Sequence, residues 1–404
     1  MLKTRFRHVP LVLAALAAGG GTADAVPDPD VQAAGAASSD FGFRLLHTLT
    51  AGKPTGNIFF SPFSVSQALT LTMSGASGRT QAEMARTLGL ASLPQAKINA
   101  ANAHLLPALT SEPDMQIAVA NALWASTGRT FSLAFQADAK RFYHAQATTL
   151  DFSVPAGAQT INAWVSKNTQ GKITQIASAG DIAGSLAVLT SAIYFHGKWQ
   201  KPFDKNMTKD QPFHLAGGST NPVRMMAQTE RFAYLDTPQF QAAGLPYGTG
   251  RISLLVFLPK PGVGIDTFVQ EASGSTVHKW LGAMQPAKIE IHLPRFKADD
   301  KAKLEEPLSA LGMAPVFADG ADFFPMGLGN AKIGEVLHRA ALDIDEEGTV
   351  AAAATAVVMR VRSAAPRTPP PPIPVMRVNR PFLVLIRDTE TGTLLFAGVI
   401  RDPQ

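Results

Sequence analysis

The sequence predicts an α+β fold in which helices crowd the N-terminal part and strands fill most of the remainder. Three patterns predict it. Apolar residues recur at helical spacing between Phe41 and Gly89. The runs Leu186–Phe195 and Arg251–Pro259 are apolar on both faces, as strands inside a doubly covered sheet are. The chain also closes on two apolar runs separated by a turn. With 404 residues, 46% of them apolar and 17% charged, the chain can bury a large core, and composition alone allows one big domain or two smaller ones. No repeat or second-domain boundary is visible.

Taken in order, residues 1–25 read as a secretory signal: Lys3, Arg5 and Arg7 precede an apolar stretch from Val9 to Ala18, and Ala23-Asp24-Ala25 forms an AxA cleavage site. Residues 26–39, small and polar with two prolines, read as a disordered lead-in, so a single folded domain is expected over 40–404. Phe41, Leu45, Leu46 and Leu49 share one helical face. Ser61 and Pro62 then supply an N-cap and a first helical residue, Val65, Ala68, Leu69, Thr72 and Met73 line the buried side, and Gly75 and Gly78 end the helix. Thr80 with Glu83 predicts a capping box for the next helix, which stops at Gly89. A strand is expected from Gln116 and a helix over Phe131 to Phe142. Ile289, Ile291 and Leu293 alternate with Lys288, Glu290 and His292, which predicts a strand with one wet face. Phe382–Ile386 and Leu394–Ile400, joined around Thr391-Gly392, predict a buried hairpin.

Several function classes are disfavoured. There is no cysteine, hence no disulfide framework, thiol nucleophile or thiolate metal site. The net charge is +5, of which Lys3, Arg5, Arg7 and Asp24 in the leader contribute +2, leaving about +3 without clustered basic residues, so no nucleic-acid partner is expected. Beyond the leader nothing is long and apolar enough to span a bilayer, so no membrane partner is expected either. Nine scattered histidines give no metal-ligand spacing, and GxSxG, HExxH and GxxxxGK[ST] motifs are absent, which argues against an enzyme, a bound metal and a cofactor.

The stretch Asp345 to Ser363 carries the sharpest functional signal. At period two from Thr349, one face is Thr349, Ala351, Ala353, Thr355, Val357 and Met359, without charge or proline. Glu346, Glu347 and Gly348 precede it as a polar, flexible hinge, and a proline tract follows Ser363. As local physics the stretch reads two ways. Its alanines favour a helix or linker; Thr355, Val357 and Val358 favour a strand.

The run Glu346-Glu347-Gly348-Thr349, followed by small residues to Thr355, resembles the hinge of the reactive-centre loop of serpins, suicide inhibitors of serine proteases. Other blocks resemble the same family: NIFFSPFSVSQAL from Asn57, GASGRTQAEM from Gly75, Ile161-Asn162-Ala163-Trp164 with Thr169 and Gly171, Leu293-Pro294-Arg295-Phe296-Lys297, Leu311-Gly312-Met313, Ala321-Asp322-Phe323 and Arg380-Pro381-Phe382. The resemblance runs from about Asp40 to the C-terminus. It implies a serpin fold with three β-sheets and an exposed loop over about 346–378. It implies a reactive bond between Arg362 and Ser363, sixteen residues after the first hinge glutamate, and insertion of the cut loop into the main sheet. Arg360 and Arg367 are two further candidate cleavage points.

Ser61, Ser64 and His338 match the shutter beneath that sheet; Ser191 stands where the family usually has asparagine. Trp199 matches the breach, where Arg295 pairs with Glu346. The implied partner is a trypsin-like serine protease, bound covalently to a secreted, monomeric inhibitor. Between Ser92 and Ser111 the one basic residue is Lys97, so heparin-type activation is not expected. The alternative within the family is a non-inhibitory carrier or chaperone-like protein.

Overall fold

Helical spacing in the first hundred residues becomes α1 (Pro29–Gly52), α2 (Pro62–Ser74), α3 (Gly78–Thr87) and α4 (Gln95–Thr110), with the short strand β1 (Ile58–Phe60) ahead of α2. The computed structural model describes residues 29–110, 114–348 and 372–404. Ser61 caps α2 as its sequence predicts: its hydroxyl accepts the Ser64 N–H at 3.0 Å, and Gly75 closes the helix.

Two N-terminal expectations are corrected. Residues 29–39 are helical, not a disordered lead-in, because their alanines favour helix and their small side chains allow close docking. Val31 and Ala34 pack with Ala101, Leu105 and Leu109 of α4, Lys97 pairs with Asp30 at 3.0 Å, and a Cβ on Gly35 would sit 2.7 Å from Thr393 Oγ1. The cap of α3 is Ser77 rather than Thr80. The Thr80 hydroxyl lies inside the helix and accepts the Asp322 N–H at 3.0 Å, so a tertiary bond has taken the group that the local motif assigned to capping.

The next elements are β2 (Met115–Ser126), α5 (Leu133–Tyr143), β3 (Gln146–Leu150), α6 (Pro155–Asn168), the one-turn α7 (Ala179–Ile182) and β4 (Ala187–Gly197). Then come β5 (Lys209–His214), β6 (Thr220–Asp236), β7 (Phe240–Pro246), β8 (Ile252–Pro259), α8 (Ile265–Glu271), α9 (Gly274–Ala283), β9 (Gln285–Pro294), β10 (Phe296–Lys303) and β11 (Ile333–Ile344). The chain ends with β12 (Val375–Arg377), β13 (Phe382–Asp388) and β14 (Leu394–Ile400).

Hydrogen bonding joins the described strands into two sheets. One runs β10-β11-β4-β2-β3; the other runs β1-β14-β13-β8-β7-β6-β9-β12, with β5 also on β6. Three sheets are expected from the sequence, but the 17-residue β6 pairs with β5 and β9 along one part and with β7 at its far end, fusing two of them.

The first sheet positions the site. Its central strand β4 is buried on both faces because each has a separate partner. Val188, Ala192 and Tyr194 pack under Ile161 and Val165 of α6 and under Ile173 and Ile182 beyond it. Ile193 and Phe195 turn the other way, into the core between the two sheets. β11 lies beside β4 in parallel, with His338 opposite Ser191 and Leu342 opposite Phe195. On β9 the predicted wet face is only partly wet. His292 is buried, since β12 adds alongside and sets Arg377 opposite it.

Candidate functional site

The site is the seam between β4 and β11, closed by polar contacts at its middle and at its top. At the middle, His338 is fully buried. Its Nε2 accepts the Ser61 backbone N–H at 3.0 Å, so the proton sits on Nδ1, which donates to the Ser191 carbonyl at 2.9 Å and reaches the Ser191 hydroxyl at 3.2 Å. The Ser191 hydroxyl donates in turn to Ser64 Oγ at 2.8 Å, and Ser64 Oγ donates to Asn121 Oδ1 at 3.0 Å. Asn121 Nδ2 returns a bond to the Ser64 carbonyl at 3.3 Å, and Ser61 Oγ donates to the Leu395 carbonyl at 2.6 Å.

One consistent order of protons satisfies this chain only while the imidazole is neutral. Burial pushes the His338 pKa down to about 4, against an opposing hydrogen bond with Ser191. A second proton would set an Nε2–H against the Ser61 N–H.

Ser61, Ser64, Ser191 and His338 are thus brought together as predicted. Sequence reasoning missed Asn121, which lies directly across from Ser191 on β2 and supplies the amide that position 191 lacks. A lone asparagine in the apolar run IAVANALWA was the available signal.

At the top, β11 ends at Ile344 and the chain turns through Asp345–Gly348, where Gly348 N donates to the Asp345 carbonyl at 3.3 Å and Asp345 N donates to the Gly348 carbonyl at 3.1 Å. The turn is docked on the strand end of β4 and the residues after it. Trp199 N donates to the Glu347 carbonyl at 3.0 Å, Phe203 N to the Glu346 carbonyl at 2.7 Å, and Trp199 Nε1 to the Asp345 carbonyl at 2.8 Å. The Trp199 ring stacks on buried Tyr247, with centroids 4.3 Å apart. Gly348 has φ of +124°, and a Cβ there would fall 2.1 Å from the Gly197 carbonyl oxygen, so the close approach requires glycine.

Glu346, the first glutamate of the expected hinge, is 3% exposed. Its carboxylate accepts the Thr208 hydroxyl at 2.6 Å and lies 3.6 Å from Arg295 Nε, so the predicted Arg295–Glu346 pair is present. Thr208 went unforeseen in the sequence; it lies beyond the quoted family blocks. Glu347 pairs with exposed Lys205, whose pKa is raised chiefly by that hydrogen bond. The reactive-bond residues Arg362 and Ser363, and the hinge residues Thr349, Ala351, Ala353 and Thr355, lie outside the described residues, as do Arg360 and Arg367.

A family model described as "Serpin (serine protease inhibitor)" matches residues 36–403. Leukocyte elastase inhibitor of Xenopus laevis is 33% identical over 381 residues, covering 91% of this chain and 98% of its own length. Iripin-2 of Ixodes ricinus is 34% identical over 373 residues, covering 90% and 92%. Among solved structures, human thyroxine-binding globulin complexed with thyroxine is similar with a TM-score of 0.84 at 28% identity, over 93% of this chain and all of that one.

Proposed function

The chain belongs to the serpin family, and we propose that it is a single-use trap for trypsin-like serine proteases, cut between Arg362 and Ser363. The observation that carries this reading is the junction of the Asp345–Gly348 turn with the β4–β11 seam. β4 and β11 are parallel neighbours, and Gly348 bridges Lys198 in antiparallel sense at the end of β4. A segment that follows β11 and folds back between them runs antiparallel to both. It therefore exchanges one parallel ladder for two antiparallel ones.

The chemistry proceeds from that geometry. The protease serine Oγ attacks the Arg362 carbonyl carbon, the bond to the Ser363 nitrogen breaks, and the new amine leaves with the proton delivered by the protease histidine. An ester remains on the Arg362 side. Insertion of the segment from Thr349 draws that ester, and the protease with it, along the sheet. A dozen residues gaining ladder bonds at roughly 0.5 to 1.5 kcal/mol each supply on the order of 10 kcal/mol before ordering entropy is subtracted. The absence of charge on the Thr349 to Met359 face matters here, because one unpaired charge buried there would cost several kcal/mol. Distortion that removes a single oxyanion-hole donor slows deacylation by about 10² to 10³-fold.

Arginine at position 362 supports a trypsin-like target, whose pocket carboxylate pairs with a guanidinium bidentately. The relative named leukocyte elastase inhibitor points instead to an elastase-type target, and the residue at the reactive bond is what separates the two readings. Residues 1–25 support export, with the inhibitor acting as a monomer outside the cytoplasm. The α4 surface carries Lys97, itself paired with Asp30, and no other lysine or arginine, which supports activity without a heparin-type activator.

The test is to mix the leader-free protein with trypsin, and separately with elastase, and run denaturing gels. A band that survives denaturant at the summed mass with trypsin, absent in Arg362→Ala, is expected. Cleaved chain without that band means a non-inhibitory protein; a band with elastase alone overturns the specificity.

A further inference from the structure

Several arginines that are at least partly buried in the described fold have a carboxylate beside them. Arg251 Nε lies 3.0 Å from Asp388, and Arg339 and Arg401 pair with Asp299 and Asp266 at 2.6 and 2.5 Å. Arg387 has Asp388 next to it, with an attractive charge effect between them. Arg380, like Arg44 and Arg129, has only neutral acceptors among the described residues, and it alone of the three lines the cleft beside the β5–β6 turn. Its guanidinium is half buried, and its protein bonds run from Nε to the Pro259 carbonyl at 2.8 Å and from Nη1 to Asn379 Oδ1 at 3.2 Å, both neutral acceptors. Burial pushes its pKa down with no carboxylate opposing the shift. A half-buried cation without a counter-charge is costly.

The same arginine lines a cleft of about 370 Å³ between the β5–β6 turn, the turn entering α8, and Pro381. His214, an exposed residue at the end of β5, lines the same cleft. Its backbone N–H donates to the Asn379 carbonyl at 2.8 Å, which fixes it next to the arginine-bearing segment, and its ring has no hydrogen-bond partner among the described residues. Two of the five guanidinium N–H groups are used by the protein, and the remaining donors suit an oxyanion. The cleft is larger than a bare oxyanion needs, and Val263, Leu215 and Pro259 give its walls an apolar lining.

We propose that this cleft binds a phosphate- or sulfate-class oxyanion carried on a small organic group, with Arg380 as the charged anchor and His214 as the second donor. None of this depends on the trapping reaction. It does bear on the segment that reaction uses, since Arg380 lies three residues beyond β12, on the stretch that carries the chain from the loop back into β13. An oxyanion held between Arg380 and His214 ties the β5–β6 turn to that stretch.

Calorimetric titration of the full leader-free protein at fixed ionic strength tests the site, with inorganic phosphate, phenyl phosphate and a sulfated disaccharide as separate probes and chloride as the control. Saturable one-to-one binding of at least one oxyanion is expected, weakened at least tenfold in Arg380→Gln. Ala216→Glu, which sets a carboxylate at the exposed rim of the cleft, is expected to weaken it as much without touching the arginine, and serves if Arg380→Gln does not fold. The tightest probe assigns the source of the anion as phosphate ester, sulfated sugar or free phosphate. No saturable heat beyond the chloride control, or unchanged affinity in the folded variants, overturns the assignment.

Discussion

The middle and the top of the β4–β11 seam are both closed by polar contacts, yet they are built on opposite electrostatic plans. At the middle the lock is neutral and sealed: His338, Ser61, Ser64 and Ser191 are buried, and every proton is committed. At the top the lock is charged and open to solvent on one side, with Arg295 44% exposed against a buried Glu346 carboxylate. A neutral buried lock responds to pH. A charged, half-exposed one responds to salt and to local changes in charge. The seam can therefore be loosened at either place by different conditions, and the two responses can be measured apart.

Reversing a charge at the top is expected to break the comparison most severely. Glu346→Lys sets a buried ammonium against Arg295 and strips Thr208 of its acceptor, a loss of about 3 to 5 kcal/mol by the scale for breaking buried pairs. Urea unfolding should show the loss, and native gels should show polymers as the top of the seam opens.

At the middle, His338→Ala leaves the Ser61 N–H and the Ser191 carbonyl buried without partners, for about 2 to 4 kcal/mol in all. The same assay reads it, and unlike the first effect it should not change with salt.

Acid should reproduce part of that loss. The folded pKa of His338, about 4, lies below the unfolded value of 6.5, so the unfolded chain binds more protons between them and stability falls as pH drops through this window. From pH 7.5 to 5 the expected cost is about 2 kcal/mol, and it rises to about 3.4 kcal/mol well below pH 4. In His338→Gln the slope of stability against pH over this window should flatten; an unchanged slope would assign the acid sensitivity to other groups.

The smallest effect sharpens the contrast. Arg295→Ala removes an ion pair whose cation is nearly half exposed, so the loss is about 0.5 to 1 kcal/mol and should shrink as salt rises.

How far the sequence reveals these two locks follows from the range of the interactions. Ser61 as a cap, β4 as a doubly covered strand and the closing hairpin are local or periodic features, and they stand where the pattern puts them. Long-range partners were less visible. Asn121 and Ser191 meet across strands some seventy residues apart in the chain, and Thr208 reaches Glu346 across 138 residues, which no local window contains. Composition also misled at the N-terminus. Pro29, Asp30, Gln32, Ser38 and Ser39 lower the mean hydropathy of residues 29–39 and so suggest disorder, while the alanines and Gly35 between them fit the segment for a helix packed closely on its neighbours. Thr80 shows the same tension, with a capping pattern overridden by a tertiary hydrogen bond.

The most direct test of the spring that this fold is argued to hold is calorimetry of the intact protein beside the form nicked between Arg362 and Ser363. The nicked form is expected to melt well above the intact one, because the freed segment fills the β4–β11 seam and gains ladder bonds on both sides. Equal or lower melting of the nicked form would mean that the seam stays shut after cleavage, contradicting the trap.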